Sequence, residues 1–298
     1  MESNQKLINT YINNYQHSKQ SQNQRKSSLK YFFDKEWFNY QGHIFKITTS
    51  KLKEYFVWLK NLDTINITTK KNKWNILISL LNYTMEDHEE FLIKIPQKTI
   101  NWRGSNGDRK EIKEIASKEE LEQILQHFKM FNFKHYLIFR LLIETGMRKG
   151  ELINAKYSDL NIEKRYIRTM GKTEDVAYYY SKELALFLKQ YLNEREKISL
   201  NNDILFLTNR LEKYSNRPFN LLLKNACKKT GIKKNITCHT FRRSINTFRK
   251  KMGCSNEDRK ILLNHKVNDV NIESYLIYDH EEYLSLYDKF NPYENLNL

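Results

Sequence analysis

The chain has 298 residues, with 51 Lys and Arg against 35 Asp and Glu and a formal net charge of +16. That length suits two compact domains, and the excess of positive charge points to a polyanionic partner, nucleic acid first, with AT-rich codon usage as the competing source of so many lysines. Cys227, Cys238 and Cys254 share no Cys-x-x-Cys spacing, which argues against a disulfide framework or a zinc cluster. The first residues, MESNQKLINT, lack the apolar core of a secretion signal, and runs such as YLIFRLLIETGM are too short to span a bilayer. A soluble protein of the reducing cytoplasm, with no membrane partner, is the expectation.

Only 8 Gly and 3 Pro interrupt the sequence, so helices should dominate. In the first hundred residues the pattern predicts helices over Gln24 to Trp37, from Thr49-Ser50 through KLKEYFVWLKNL, and from Thr68-Thr69 through KKNKWNILISLLNYTMEDH. Tyr55, Trp58, Trp74 and Tyr83 read as core, with the intervening Lys and Arg on solvated faces that could meet phosphate. The stretch from Gln97 to Ile112 has no periodicity and contains Gly104, Ser105, Asn106, Gly107 and Asp108 in succession, the composition of an exposed connection. The division expected is a helical domain over 1–100, a linker over 101–116 and a second domain over 117–298 whose tail is 279–298.

In the second domain, Ser117 and Glu120 form a capping-box pattern ahead of LEQILQHFKMF. A helix from His135 to Thr145 follows, with Gly146 placed to end it. The runs RYIRTM and VAYYY, separated by GKTED, predict two strands joined by a turn. Helices resume in SKELALFLKQYLNER, NRPFNLLLKNACKKTG, TFRRSINTFRKKMG and SNEDRKILLNH.

Four motifs then stand in order: TGMRKGEL at 145–152, MGKT at 170–173, HTFR at 239–242 and LLNHKVNDVNIESY at 262–275. In these the chain resembles the tyrosine recombinases, the phage integrases and Xer proteins, whose active site runs Arg, Lys, His-x-x-Arg, His or Trp, and Tyr. The resemblance implies a mainly α fold with a small β-sheet or hairpin, an α+β catalytic domain preceded by an all-α core-binding domain, closing as a C-shaped clamp on DNA. It further implies strand cleavage and rejoining without cofactor, metal or ATP, and a homotetramer joining two double-stranded recombination sites, with accessory factors left open.

The chemistry explains the residue types. A phosphodiester under attack gathers negative charge on its non-bridging oxygens, which fixed cationic donors stabilise, and the planar guanidinium can hold two oxygens at once. By resemblance Arg148 and Arg242 are these clamps. His239 precedes Arg242 by three residues, so on a helix both side chains share a face. Glu151 has the same spacing from Arg148 and reads as an orienting carboxylate. The resemblance makes Lys172, in the turn between the strands, the general acid for the departing 5′ oxygen, His265 a further donor to the phosphate, and Tyr275 the nucleophile.

Two departures stand out. The family's Leu-Gly-His reads Leu263-Asn264-His265, and Tyr275 follows His265 by ten positions where nine is common. Tyr278, one helical turn on, is therefore the alternative nucleophile. Competing readings are a DNA-binding regulator of recombinase ancestry that no longer cleaves, and a telomere resolvase or type IB topoisomerase using the same chemistry. Beyond the nucleophile, Tyr283, Leu284, Leu286, Tyr287 and Phe290 recur at nearly helical spacing. The family resemblance implies that this stripe packs into a neighbouring subunit, the alternative being its own domain.

Overall fold

The computed structural model describes residues 3–14, 18–96, 100–102, 114–170, 175–197, 202–264 and 279–294. The chain divides into two compact units, Met1–Ile112 and Lys113–Leu298. Among the described residues no helix is long and apolar enough to cross a membrane.

The first unit contains α1 (Asn4–Asn14), α2 (Lys19–Phe33), α3 (Thr49–Asn61) and α4 (Ile67–Asp87). Helix α2 starts and stops earlier than the pattern of Gln24 to Trp37 suggests. Ser18 caps it by accepting from the Ser21 amide, and Trp37 turns back to stack on Tyr31 at 4.0 Å between ring centroids. Caps one or two positions ahead of the expected ones open α3 and α4, Thr48 accepting from the Lys51 amide and Asn66 from the Thr69 amide. Tyr55 and Trp74 are buried with Phe32, Leu59 and Leu80, while Trp58 and Tyr83 close the edges of the same core.

The second unit opens with α5 (Lys118–Phe131), whose capping box between Ser117 and Glu120 is formed in both directions. Helix α6 (Phe133–Thr145) is buried along nearly its whole length and ends at Gly146, which takes a left-handed φ of 66°. After α7 (Lys149–Asn154) comes an antiparallel sheet of β1 (Leu160–Asn161), β2 (Tyr166–Met170) and β3 (Asp175–Tyr179), in which Tyr166 pairs with Tyr179 and Met170 with Asp175. Helices α8 (Lys182–Glu196), α9 (Asn216–Lys229), α10 (Cys238–Lys251) and α11 (Asn256–Leu262) follow, and α12 (His280–Lys289) closes the order. Phe139, Leu142, Leu188, Phe219, Phe241 and Ile245 form the centre of the core.

The apolar stripe of the tail is buried against its own domain in the single chain. In the single chain α12 lies on its own unit, with Tyr287 and Phe290 in a cluster with Tyr179, Cys254 and Leu262. Tyr287 donates to Glu144 Oε2 at 3.2 Å, and Arg165 grips Asp288 through two bonds of 3.0 and 2.6 Å. The outer face of β3 and the end of α11 offer an apolar complement to the stripe, so burial in cis satisfies it.

Candidate active site

The turn after α6, the start of α7, helix α9 and the opening turns of α10 meet at one cleft of about 360 Å³, whose lining includes Arg148, Lys149, Asn220, Thr237, His239 and Arg242. A larger cavity of about 540 Å³ lies in the first unit against Trp74, Tyr83 and Trp102. Its lining holds a single formally charged side chain, Glu86, so it lacks the concentration of cations the cleft has.

Arg148 is placed by the turn that Gly146 makes possible. A Cβ at Gly146 would stand 2.7 Å from Leu263 Cδ2 and 2.9 Å from Ile245 Cγ2, so glycine answers both the positive φ and the close approach of α10. Arg148 then caps α7, its amide donating to Glu151 Oε2 and its Nη1 to Glu151 Oε1, both at 2.7 Å. Glu151 is 7% exposed whereas the Arg148 side chain is 48% exposed, so the carboxylate is fixed and the guanidinium reaches the cleft. Burial opposes the Arg148 charge, but the hydrogen bond and attraction of Glu151 outweigh it and hold its pKa above the ordinary value.

Arg242 comes from α10, whose N-cap Thr237 accepts from the Thr240 amide and so sets the first turn. His239 lies in that turn on an exposed position and Arg242 one turn later is buried. The Arg242 guanidinium donates through Nη1 to the Gly146 carbonyl at 2.7 Å and through Nη2 to the Leu263 carbonyl. Burial pulls its pKa down, and Arg148 nearby adds to that, with Tyr178 and Glu151 opposing. Two cationic forks are thus fixed by backbone carbonyls and one carboxylate, an arrangement suited to anionic oxygens.

Tyr178 of β3, missed in the sequence, is 1% exposed and donates to Glu151 Oε2 at 2.9 Å. Its oxygen lies 3.5 Å from Arg242 Nη1, long for a hydrogen bond but close for an electrostatic contact. Burial first, then Glu151, push its pKa up to about 12, so it stays a neutral donor. Alternation in VAYYY marks it only as an inward strand position. Lys149 and Asn220, also unremarked in the sequence, join α7 to α9 through a 3.0 Å hydrogen bond at the rim.

Asn264 has a φ of 48°, a left-handed conformation that Asn tolerates and Gly adopts freely. Its side-chain amide donates to the Ala177 carbonyl at 2.8 Å, which ties the end of α11 to β3. This accounts for Asn where the family commonly has Gly. Lys172, His265, Tyr275 and Tyr278 lie outside the described residues. The described flanks are Met170 and Asp175 around the first, and Asn264 and Asp279 around the other three. Among the described residues no three His, Cys, Asp or Glu side chains converge as metal ligands.

Comparison with known proteins concerns the family and the fold. The tyrosine recombinase XerC of Leptospira interrogans (serovar copenhageni) is 25% identical over 98% of this chain and 94% of its own length. Tyrosine recombinase XerD of Listeria innocua is 32% identical over 52% of this chain and 54% of its own. Among solved structures, the Tn1549 transposon integrase in complex with circular intermediate DNA aligns with a TM-score of 0.68 at 16% identity, covering 93% of this chain and 96% of that one. The XerH recombinase in its post-cleavage complex with a palindromic difH substrate aligns at 0.66 and 20% identity, covering 97% and 82%. At such identities the structural likeness shows the fold, mostly helical with a small antiparallel sheet. The Phage integrase family model matches residues 114–283, more than half of the chain, and the chain belongs to that family, the tyrosine recombinases.

Proposed function

We propose that this chain is a site-specific DNA recombinase that cleaves and rejoins strands through a covalent 3′-phosphotyrosine and a Holliday junction. The observation that carries the reading is the convergence of Arg148 and Arg242, from motifs almost a hundred residues apart, on one cleft that also holds His239. The first unit is read as the core-binding domain and the second as the catalytic domain.

In the proposed step the Tyr275 phenol gives up its proton to water as its oxygen attacks the scissile phosphorus. An O–P bond to the tyrosine forms as the bond to the 5′ oxygen breaks, and Lys172 delivers a proton to that oxygen. Arg148, Arg242, His239 and His265 hold the non-bridging oxygens as charge accumulates there. Return attack by a 5′ hydroxyl reverses the balance, so resealing consumes no nucleotide. The chain itself supplies the cationic donors, and the reading requires neither metal nor ATP. The XerH structure with its difH substrate and the Tn1549 integrase structure with circular intermediate DNA support a DNA recombination site as the substrate, and exchange of four strands between two sites would call for a homotetramer. The regulator and topoisomerase readings gain nothing from the cleft or from the relatives, which are named as recombinases.

The test is to incubate the protein with sheared host DNA in EDTA, quench with SDS and sequence the DNA that stays attached. A recurrent junction supports the reading. Binding without any covalent species would assign the chain to regulation, and a need for magnesium would count against this chemistry.

A further inference from the structure

We propose that the Tyr178 hydroxyl is a positioning group of the strand-cleavage centre, linking Glu151 to Arg242 so that the two arginine clamps are set as one unit. The inference rests on the functional reading above and concerns a residue outside the motif set.

The geometry forms a chain of contacts. Arg148 is tied to Glu151 by two bonds of 2.7 Å, Glu151 accepts from Tyr178 at 2.9 Å, and the Tyr178 oxygen faces Arg242 Nη1 at 3.5 Å. Glu151 Oε2 therefore takes two donors, the Arg148 amide and the Tyr178 hydroxyl, which leaves the carboxylate little freedom to rotate away from Arg148 Nη1. On its other side the phenol oxygen directs a lone pair toward Arg242 Nη1, the same nitrogen that the Gly146 carbonyl holds at 2.7 Å. Tyr178 stands opposite Ile167 in the register of β2 and β3, and Ile167 is fully buried, so the ring is locked by packing. A rigid strand thus fixes one hydroxyl between the carboxylate of one clamp and the guanidinium of the other. Nothing in core packing requires that oxygen, since a Phe ring would fill the same space.

The effect belongs to the charge that builds on the phosphate, which sets it apart from mere stability. Removing the hydroxyl frees the carboxylate and leaves it one donor short, so both forks lose part of their orientation. The cost should appear in the chemical step and not in DNA affinity, which many other basic residues support.

The experiment compares wild type with Tyr178→Phe on a nicked duplex built on the recovered junction, with enzyme saturating. Cleavage by Tyr178→Phe should slow on the order of tenfold, with DNA affinity and melting temperature close to wild type. A second duplex carries an uncharged methylphosphonate at the scissile position, where a mis-set guanidinium matters less. There the defect should shrink to about threefold or less. Equal defects on both duplexes, or no defect on the first, would overturn the inference while wild-type cleavage leaves the functional reading intact. Failure of the wild type to cleave either duplex would overturn that reading and the inference with it.

Discussion

The Arg242 guanidinium donates to the Gly146 carbonyl at 2.7 Å, so the arginine of the HTFR motif is seated on the backbone of the TGMRKGEL motif. The glycine that ends α6 therefore helps to seat Arg242, one of the two proposed phosphate clamps. Replacing it with alanine would impose a strained positive φ and press a Cβ within 3 Å of Leu263 and Ile245. Gly146→Ala should lose about 1–3 kcal/mol of stability. Thermal melting should show a clear fall, and cleavage by the folded fraction should fall further because the acceptor of Arg242 moves. An unchanged melting point would mean that the turn relaxes without cost.

Lys172 is proposed as the donor to the departing 5′ oxygen. A duplex with sulfur at that bridging position has a leaving group that needs no proton, so it should restore cleavage to Lys172→Ala but not to Arg148→Ala. Single-turnover rates on paired oxygen and sulfur duplexes decide it. If both variants stay equally impaired on sulfur, Lys172 binds phosphate and another group is the acid.

His135 supplies a pH dependence of stability separate from catalysis. Burial, with the neighbouring Lys134 charge, lowers its pKa to about 4, and its Nε2 lies 3.1 Å from the Tyr214 hydroxyl. The folded form keeps His135 neutral while the unfolded chain takes a proton near the usual value of about 6.5. Its contribution is thus complete above that pH, shrinks as pH falls from there toward about 4, and shrinks no further below. Melting measured between pH 7.5 and pH 4.5, on the order of three units apart, should fall less steeply for His135→Gln than for wild type. Parallel curves would show that His135 does not set the slope.

The cis position of α12 gives a prediction for the tail. Truncation after Asp279 removes the partner of Glu144 at 3.2 Å and that of Arg165 and uncovers Tyr179 and Leu262. The truncated chain should melt several degrees lower and bind a hydrophobic dye more strongly, with DNA affinity largely kept. Unchanged melting would mean that the helix contributes nothing to its own unit, leaving a neighbouring subunit as its place of docking.

Much of this was legible in the sequence where local chemistry decides the outcome. The Ser117–Glu120 capping box, the left-handed Gly146 and the paired runs RYIRTM and VAYYY all act over a few residues. Likewise the spacing of Arg148 to Glu151 and of His239 to Arg242 puts each pair on one helical turn. Other features depended on contacts that no short window contains. Helix α2 ends early because Trp37 finds Tyr31, and the tail packs in cis because β3 and α11 offer it a surface. Tyr178 escaped notice because an inward tyrosine in a strand looks like core until Glu151 is seen beside its hydroxyl. Asn264 looked like a departure from the family until its positive φ gave the reason.

The most direct measurement is the identity of the residue joined to DNA. Covalent complexes formed on a nicked duplex in EDTA would be digested with protease and nuclease, and the nucleotide-bearing peptide sequenced by mass spectrometry. The account predicts a phosphotyrosine at Tyr275, lost in Tyr275→Phe and retained in Tyr278→Phe. A label on Tyr278 would move the nucleophile to the alternative tyrosine, three residues on. A label on neither tyrosine, or no covalent complex from a protein that binds the duplex, would contradict the recombinase mechanism.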